Sequence, residues 1–443
     1  MSITYKEYNE KYRLPEQAKD EELIMKHKHH ALCYEPGKGK SYPAIHCILE
    51  INKLKQGKAK VLIMSDATCI KEMWRQDIVP QNILPKDTFM VTDRTAIGTI
   101  KEALIKTNWD CIVIDECQSL RSGVTRAKSK FAKLVYALTK RTEYVIGMTG
   151  TIAGNNNIEP FCVLHNLNIA GMGEINPRVF KDRYCVKELQ YGPFGSFEKP
   201  TRLNEAGEAL MAKAYEAGCS FWDYDDADEM PPMNIEYKTF TVPPTEHYKN
   251  ALEGILQCGD CESTVQKSIA MQKAQQALNG FLYYKDDEEN RQTFQVPEFD
   301  NPKLKYVLER CKTSNNIIAY RFQEDGYYIT KTLADAGIKT TDSISEFKAK
   351  AANEHIILVI QCSRGKAANL QMCQNIIYYT CDFSFIYFKQ MIHRCWRRGQ
   401  EHPCSVTFLC NDTGDKYKIE EKIWKALETK KTIHEALMSI KRS

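Results

Sequence analysis

No apolar run in this chain approaches the roughly 18 residues that a membrane-spanning helix requires. The N-terminal MSITYKEYNEKY also lacks the apolar core of a signal peptide. Both absences predict a cytoplasmic protein with no membrane role. An excess of one charge is missing too. There are 61 Lys and Arg against 57 Asp and Glu, a net charge of +4. So mild a balance permits a polyanionic partner through a local basic groove but does not demand one. No repeat at solenoid period and no low-complexity tail is present. The C-x-x-C at Cys258 and Cys261 has no second C-x-x-C at zinc-ribbon spacing and no thioredoxin-like context. Structural zinc and redox chemistry are therefore disfavoured. The cluster Lys26-His27-Lys28-His29-His30 has no evident Cys or carboxylate partners and reads as a solvated helix end. The acidic stretch 286–290 reads as a solvated loop.

Cysteine, by contrast, is abundant. Seventeen are scattered, often inside apolar runs such as Cys111-Ile112-Val113-Ile114. Odd number and apolar setting fit buried free thiols better than a disulfide framework. A length of 443 residues allows two sizeable cores. Short apolar runs at 31–34, 61–65, 88–91, 111–115 and 144–148 alternate with helical patterns such as 42–55 and 126–139. Strand–helix alternation predicts an α/β fold with parallel, doubly wound sheets. Residues 159–229 read as mostly helical and irregular. After Pro231-Pro232 the alternation returns, with strand candidates at 236–242, 316–320, 356–360, 376–380 and 406–409. Two α/β domains follow, 1–235 with a helical segment at 156–230, and 236–443.

Gly37-Lys38-Gly39-Lys40-Ser41 follows a strand candidate and precedes a helical pattern, the context of a phosphate-binding loop. Tyr34 stands where the strict pattern has its first glycine, which leaves a basic surface turn as the other reading of these five residues. In a phosphate loop the glycines let backbone N–H groups turn toward phosphate oxygens, and the helix N-terminus adds partial positive charge. Lys40 then reaches the β- and γ-phosphates of ATP, and Ser41 ligates magnesium. Asp115 and Glu116 end a second apolar run. Adjacent carboxylates at the carboxyl edge of a buried strand suit a nucleotide site. Asp115 is the expected Mg2+ holder, and Glu116 orients and deprotonates the attacking water.

Lys40-Ser41, Asp115-Glu116-Cys117-Gln118 and Thr149-Gly150-Thr151 resemble motifs I, II and III of superfamily 2 helicases. Gln390, Arg394, Arg397, Gly399 and Gln400 resemble motif VI in the form carried by the Swi/Snf-type branch of DNA translocases. Gly365, Asn369 and Leu370 resemble motif V. Val61–Ser65 with Trp74 resembles motif Ia. Phe180, Arg183, Tyr184, Met230-Pro231-Pro232 and Lys303-Leu304 fall where that branch carries F-x-x-R-Y, L-P-P and K-L. The resemblance covers nearly the whole chain. Departures are Tyr34, Cys117-Gln118 in place of Ala-His, Ile152 in place of proline, and Ala368 in place of a glycine.

This resemblance implies two RecA-like domains in tandem with ATP in the interdomain cleft. It implies a nucleic-acid-stimulated ATPase moving on double-stranded or branched DNA, the alternatives being an RNA helicase or an ATP-binding motor subunit with little activity unless joined to a partner complex. Partner proteins of a replication, recombination or transcription complex are also implied. Lys40, Asp115, Glu116, Arg394 and Arg397 are the catalytic candidates, the two arginines as γ-phosphate fingers. Gln17, Gly37, Lys38, Gly39, Lys40, Ser41, Gly365 and Gln390 are the nucleotide-binding candidates, Gln17 as an adenine reader. Gln118, Thr149, Gly150 and Thr151 are the coupling candidates. The compactness of the chain resembles phage and viral members of the branch.

Overall fold

The computed structural model describes residues 4–125, 127–152, 156–192, 195–222, 230–259, 261–286, 288–297, 299–364, 370–381, 384–396, 400–416 and 418–439. The chain forms two compact units, residues 1–228 with 430–443, and residues 229–429. Each is built on its own six-stranded parallel sheet, an α/β arrangement consistent with two tandem RecA-like domains.

In the first unit the strands are β1 (His29–Tyr34), β2 (Val61–Ser65), β3 (Thr88–Thr92), β4 (Cys111–Asp115) and β5 (Tyr144–Met148). An antiparallel hairpin follows, β6 (Cys185–Gly192) and β7 (Gly195–Leu203), then β8 (Cys219–Trp222). The main sheet has the order β3-β2-β4-β5-β1-β8, all parallel. Every residue of β2, β4 and β5 is buried. A parallel sheet covered on both faces needs such continuous apolar strands. Alternate residues serve the two faces. Ile112 and Ile114 join one core with Ala31 and Cys33, while Cys111 and Val113 join the other with Leu32 and Tyr34. Helix Ser41–Leu54 buries Ala44, Ile45, Ile48 and Ile51 against that second face, at helical spacing.

The second unit contains β9 (Met233–Thr241), two antiparallel hairpins and a second parallel sheet. The hairpins pair β10 (Ile255–Cys258) with β11 (Cys261–Thr264), and β12 (Phe281–Lys285) with β13 (Arg291–Gln295). The remaining strands are β14 (Ile317–Tyr320), β15 (Thr340–Thr341), β16 (Ile357–Gln361), β17 (Asn375–Tyr378) and β18 (Cys404–Asp412). Their order is β15-β16-β14-β17-β18-β9. The edge pair β9–β18 runs in register from Met233 opposite Cys404 to Thr241 opposite Asp412.

Two expectations need correction. Residues 159–229 hold helices Glu159–Leu167, Pro177–Tyr184 and Glu205–Gly218, but also the β6–β7 hairpin and β8. The hairpin strands are polar, and β8 is only four residues long, so neither carries a periodic apolar signal. The histidine cluster is not a solvated helix end. His27 closes helix Pro15–His27, His29 and His30 open β1, and His30 is buried. The acidic stretch is the solvated loop the sequence predicts: its described residues join β12 to β13, and Asp286 accepts from the backbone N–H groups of Glu288 and Asn290. The cysteines are all free thiols, and all but Cys261 and Cys381 are buried. Among the described residues no helix is long and apolar enough to cross a membrane.

Candidate nucleotide site

Strand β1 ends at Tyr34, and the loop from Glu35 to Lys40 leads directly into helix Ser41–Leu54. Two loop glycines hold positive φ, +93° at Gly37 and +72° at Gly39. A side chain at either would be strained, so glycine is required to turn this backbone. Gln17 braces the turn. Its Nε2 donates to the Lys38 carbonyl at 3.2 Å, while its Oε1 accepts from the Leu14 N–H at 3.1 Å. Gln17 is thus a buried clamp on the loop backbone, with both ends of its amide engaged.

In the sheet, β5 lies between β1 and β4. Register places Leu32, Met148 and Asp115 in one row, so the phosphate loop, Thr149-Gly150-Thr151 and Asp115-Glu116 leave one carboxyl edge together. Open parallel sheets bind ligands along that edge. Asp115 is 4% exposed. Burial pushes its carboxyl up to about 7, helped by the charge of Glu116, while Lys40 and the Trp74 hydrogen bond pull it down. Trp74 Nε1 donates to Asp115 Oδ2 at 3.2 Å, and the Glu116 N–H donates to Asp115 Oδ1 at 3.0 Å. Glu116 itself has φ +54°. A non-glycine residue held there is strained backbone of the kind found at functional sites.

A line of hydrogen bonds runs from Glu116 into the next strand's exit. Gln118 Nε2 donates to Glu116 Oε2 at 2.5 Å, and Thr149 Oγ1 donates to Gln118 Oε1 at 2.7 Å. The Thr151 N–H then donates to Thr149 Oγ1 at 3.0 Å. Thr149 and Thr151 are fully buried. Gly150 packs on the phosphate loop so closely that a Cβ there would lie 2.9 Å from Pro36 Cγ. The four coupling candidates therefore form one packed unit with Glu116 and the loop.

Ser41 opens its helix, and its hydroxyl donates to Met73 Sδ at 3.2 Å. A hydroxyl and a buried carboxylate are hard oxygen donors and fit a magnesium ion that keeps most of its waters. In the second unit, Gln390 and Arg394 stand four residues apart on helix Phe385–Cys395, on one face of it. Both are buried. The Arg394 carbonyl accepts from the Leu370 N–H at 2.9 Å. Gly365 and Arg397 lie outside the described residues, as do Asn369 and Gly399.

Sequence reasoning missed three features. Lys38 places its ammonium over the Trp222 ring, 4.5 Å from the centroid. Tyr34, the residue in the missing glycine's place, donates to Asp20 Oδ2 at 2.5 Å, and Ser220 donates to Asp20 Oδ1 at 2.5 Å. In the second unit Lys303, read only as part of a K-L pair, is wholly buried. It donates to Glu420 at 2.7 Å and to Asn279 Oδ1 and the Tyr379 carbonyl at 3.1 Å each. No local pattern announces these partners, because each contact joins residues distant along the chain. A cavity of about 280 Å³ also lies at the carboxyl ends of β14 and β16, lined by Arg291, Arg321, Tyr283, Gln272 and Gln361 among others. The Arg291 guanidinium lies 3.9 Å from the Tyr283 ring centroid.

Neither the known protein families nor the curated proteins contain a match to this chain. Among solved structures, the Sulfolobus solfataricus SWI2/SNF2 ATPase core in complex with dsDNA is similar, with a TM-score of 0.40 and 17% identity, over 96% of this chain and 92% of that one.

Proposed function

We propose that this protein is an ATP-dependent DNA translocase or helicase, hydrolysing ATP to ADP and phosphate to move on or remodel duplex or branched DNA. The observation that carries the reading is the hydrogen-bonded line from half-buried Glu116 through buried Gln118 and Thr149 to Thr151, set against the phosphate loop at Pro36. It ties the proposed base to a segment that can pass on a change at the γ-phosphate. A basic surface turn would have no use for such a connection.

The roles follow from the chemistry of the residues and from the motifs they resemble. Gly37 and Gly39 shape the loop so that its N–H groups can cradle phosphates. Lys40 contributes positive charge to the β- and γ-phosphates. Ser41 and Asp115 would hold magnesium, which when bound neutralises phosphate charge. Glu116 orients the attacking water and accepts its proton. Arg394 and Arg397 are assigned the arginine-finger role, an effect worth roughly 10³-fold or more in rate. Gly365 and Gln390 are assigned to nucleotide binding. DNA contact would be chiefly to phosphates, hence weakly sequence-dependent and salt-sensitive. The arginine-lined cavity beyond β14 and β16 supports an anionic track, since guanidinium forks match phosphate oxygens.

The test is ATP turnover by the purified protein alone, then with duplex DNA, single-stranded DNA, a branched junction and RNA. Lys40→Ala should abolish turnover. Glu116→Gln should abolish turnover yet still bind ATP. Stimulation by a DNA form is expected. Stimulation by RNA alone would move the track to RNA. Ordinary turnover in either variant would overturn the site assignment.

A further inference from the structure

We infer that Trp222 is a positioning residue of the nucleotide site, acting through Lys38 to hold a second loop lysine where it strengthens binding of the nucleotide's phosphates. This rests on the ATP-binding reading above.

The edge strand β8 runs parallel to β1, with Trp222 in register beside Tyr34, the last residue before the loop. Its backbone extends that pairing into the loop itself, since the Glu35 N–H donates to the Trp222 carbonyl at 2.8 Å. The indole meets the Tyr34 ring edge-on, with centroids 5.4 Å apart. Lys38 is 4% exposed, unusual for a lysine in a loop. Its carbonyl is held by Gln17 and its ammonium by the Trp222 ring. An ammonium over an indole face is attracted by the ring quadrupole, most strongly where water is excluded.

The anchorage of β8 is also more than edge packing. Ser220, two residues before Trp222 and on the same face of the strand, donates to Asp20 Oδ1. The other oxygen of that carboxylate accepts from Tyr34. His30 Nε2 lies 2.8 Å from Ser220 Oγ. One helix, Pro15–His27, thus supplies both Gln17 to the loop and Asp20 to the two strands that flank it. All these contacts converge on the loop carrying Lys38, between the two glycines with positive φ. A freely rotating lysine would spread its charge over many positions and lose rotamer entropy on meeting phosphate. A lysine already fixed on Trp222 delivers that charge at one place within the loop.

The test compares Lys38→Met, Trp222→Leu, Trp222→Phe and the double variant Lys38→Met/Trp222→Leu in steady-state ATP hydrolysis and in ATP binding by calorimetry. Each of the first two should raise KM and Kd for ATP about tenfold, with kcat altered less than twofold. The double variant should be no worse than Lys38→Met alone. Trp222→Phe, which keeps a ring, should restore affinity to within about threefold of the parent. Additive losses in the double variant would overturn the inference, as would Trp222→Phe behaving like Trp222→Leu. Should Trp222→Leu fail to fold, Lys38→Met against Trp222→Phe still decides, because an unchanged KM in Lys38→Met is fatal. If Lys40→Ala loses binding while Lys38→Met and Trp222→Leu keep it, only this inference falls. If the parent protein binds no ATP at all, the nucleotide reading falls as well.

Discussion

Thr149→Val tests the link between the proposed base and the phosphate loop with almost no change of shape. The substitution replaces a hydroxyl by a methyl at a residue with no solvent exposure. Two buried groups lose their partner. Gln118 Oε1 loses the donor at 2.7 Å, and the Thr151 N–H loses its acceptor at 3.0 Å. Each buried polar group left unpaired costs about 1–3 kcal/mol, so the expected loss of stability is roughly 2–6 kcal/mol. Functionally, Gln118 would be free to swing and Glu116 would lose its fixed partner. DNA-stimulated turnover should fall about tenfold or more while ATP affinity stays within about threefold. Urea unfolding followed by far-UV circular dichroism measures the first quantity. ATP hydrolysis with and without duplex DNA, beside calorimetric binding, measures the second. A stability change below about 0.5 kcal/mol together with intact stimulation would refute the reasoning, since the line of hydrogen bonds would then carry neither structure nor coupling.

Gly150→Ala should destabilise by about 1–3 kcal/mol through overpacking. It should also weaken ATP binding, because the new methyl meets the Pro36 ring, which cannot swing aside. Unchanged ATP affinity in a calorimetric titration would count against that contact. Lys303→Met should cost roughly 3–5 kcal/mol in urea unfolding, because it strands the buried Glu420 carboxylate. Adding Glu420→Leu should recover much of the loss, and failure to recover any would argue against charge burial as the cause. His165 is stacked on Tyr136 and bonded through Nδ1 to the Met172 carbonyl, and burial, with the charge of Lys128, pushes it down to about 4. The unfolded chain takes up a proton there near pH 6.5 while the folded chain does not, so stability should rise with pH between about 4 and 6.5. Acidification through that window should remove up to about 3 kcal/mol. Replacement by Phe should flatten the slope of unfolding free energy against pH, and an unchanged slope would assign the acid sensitivity elsewhere.

How far the fold could be read from the chain depended on burial. Strands β2, β4 and β5 were predicted residue for residue, because a strand covered on both faces is a continuous apolar run with polar ends. The hairpins β6–β7, β10–β11 and β12–β13 were not predicted. Strands β6, β7, β11 and β13 mix polar and apolar side chains, β10 and β12 are only four and five residues long, and the pairing depends on backbone hydrogen bonds that any residue but proline can make. Strand β8 escaped for another reason. Cys-Ser-Phe-Trp is too short to show a period, and only its place beside β1 makes it a strand.

The sequence by itself determined which chemical groups the site contains. A glycine-bracketed lysine before a helix and a carboxylate pair at a strand end are local patterns, and local patterns are spelled out along the chain. It also determined the class of fold, because strand–helix alternation leaves few topologies. Only the tertiary structure decided how those groups are connected. That Gln118 joins Glu116 to Thr149, that Gly150 rests on Pro36, that Gln17 clamps the loop backbone and that Trp222 holds Lys38 are facts of through-space distance. The residues concerned are separated by up to about two hundred positions in the chain, and their meeting is set by strand order and register, which no single stretch of sequence encodes.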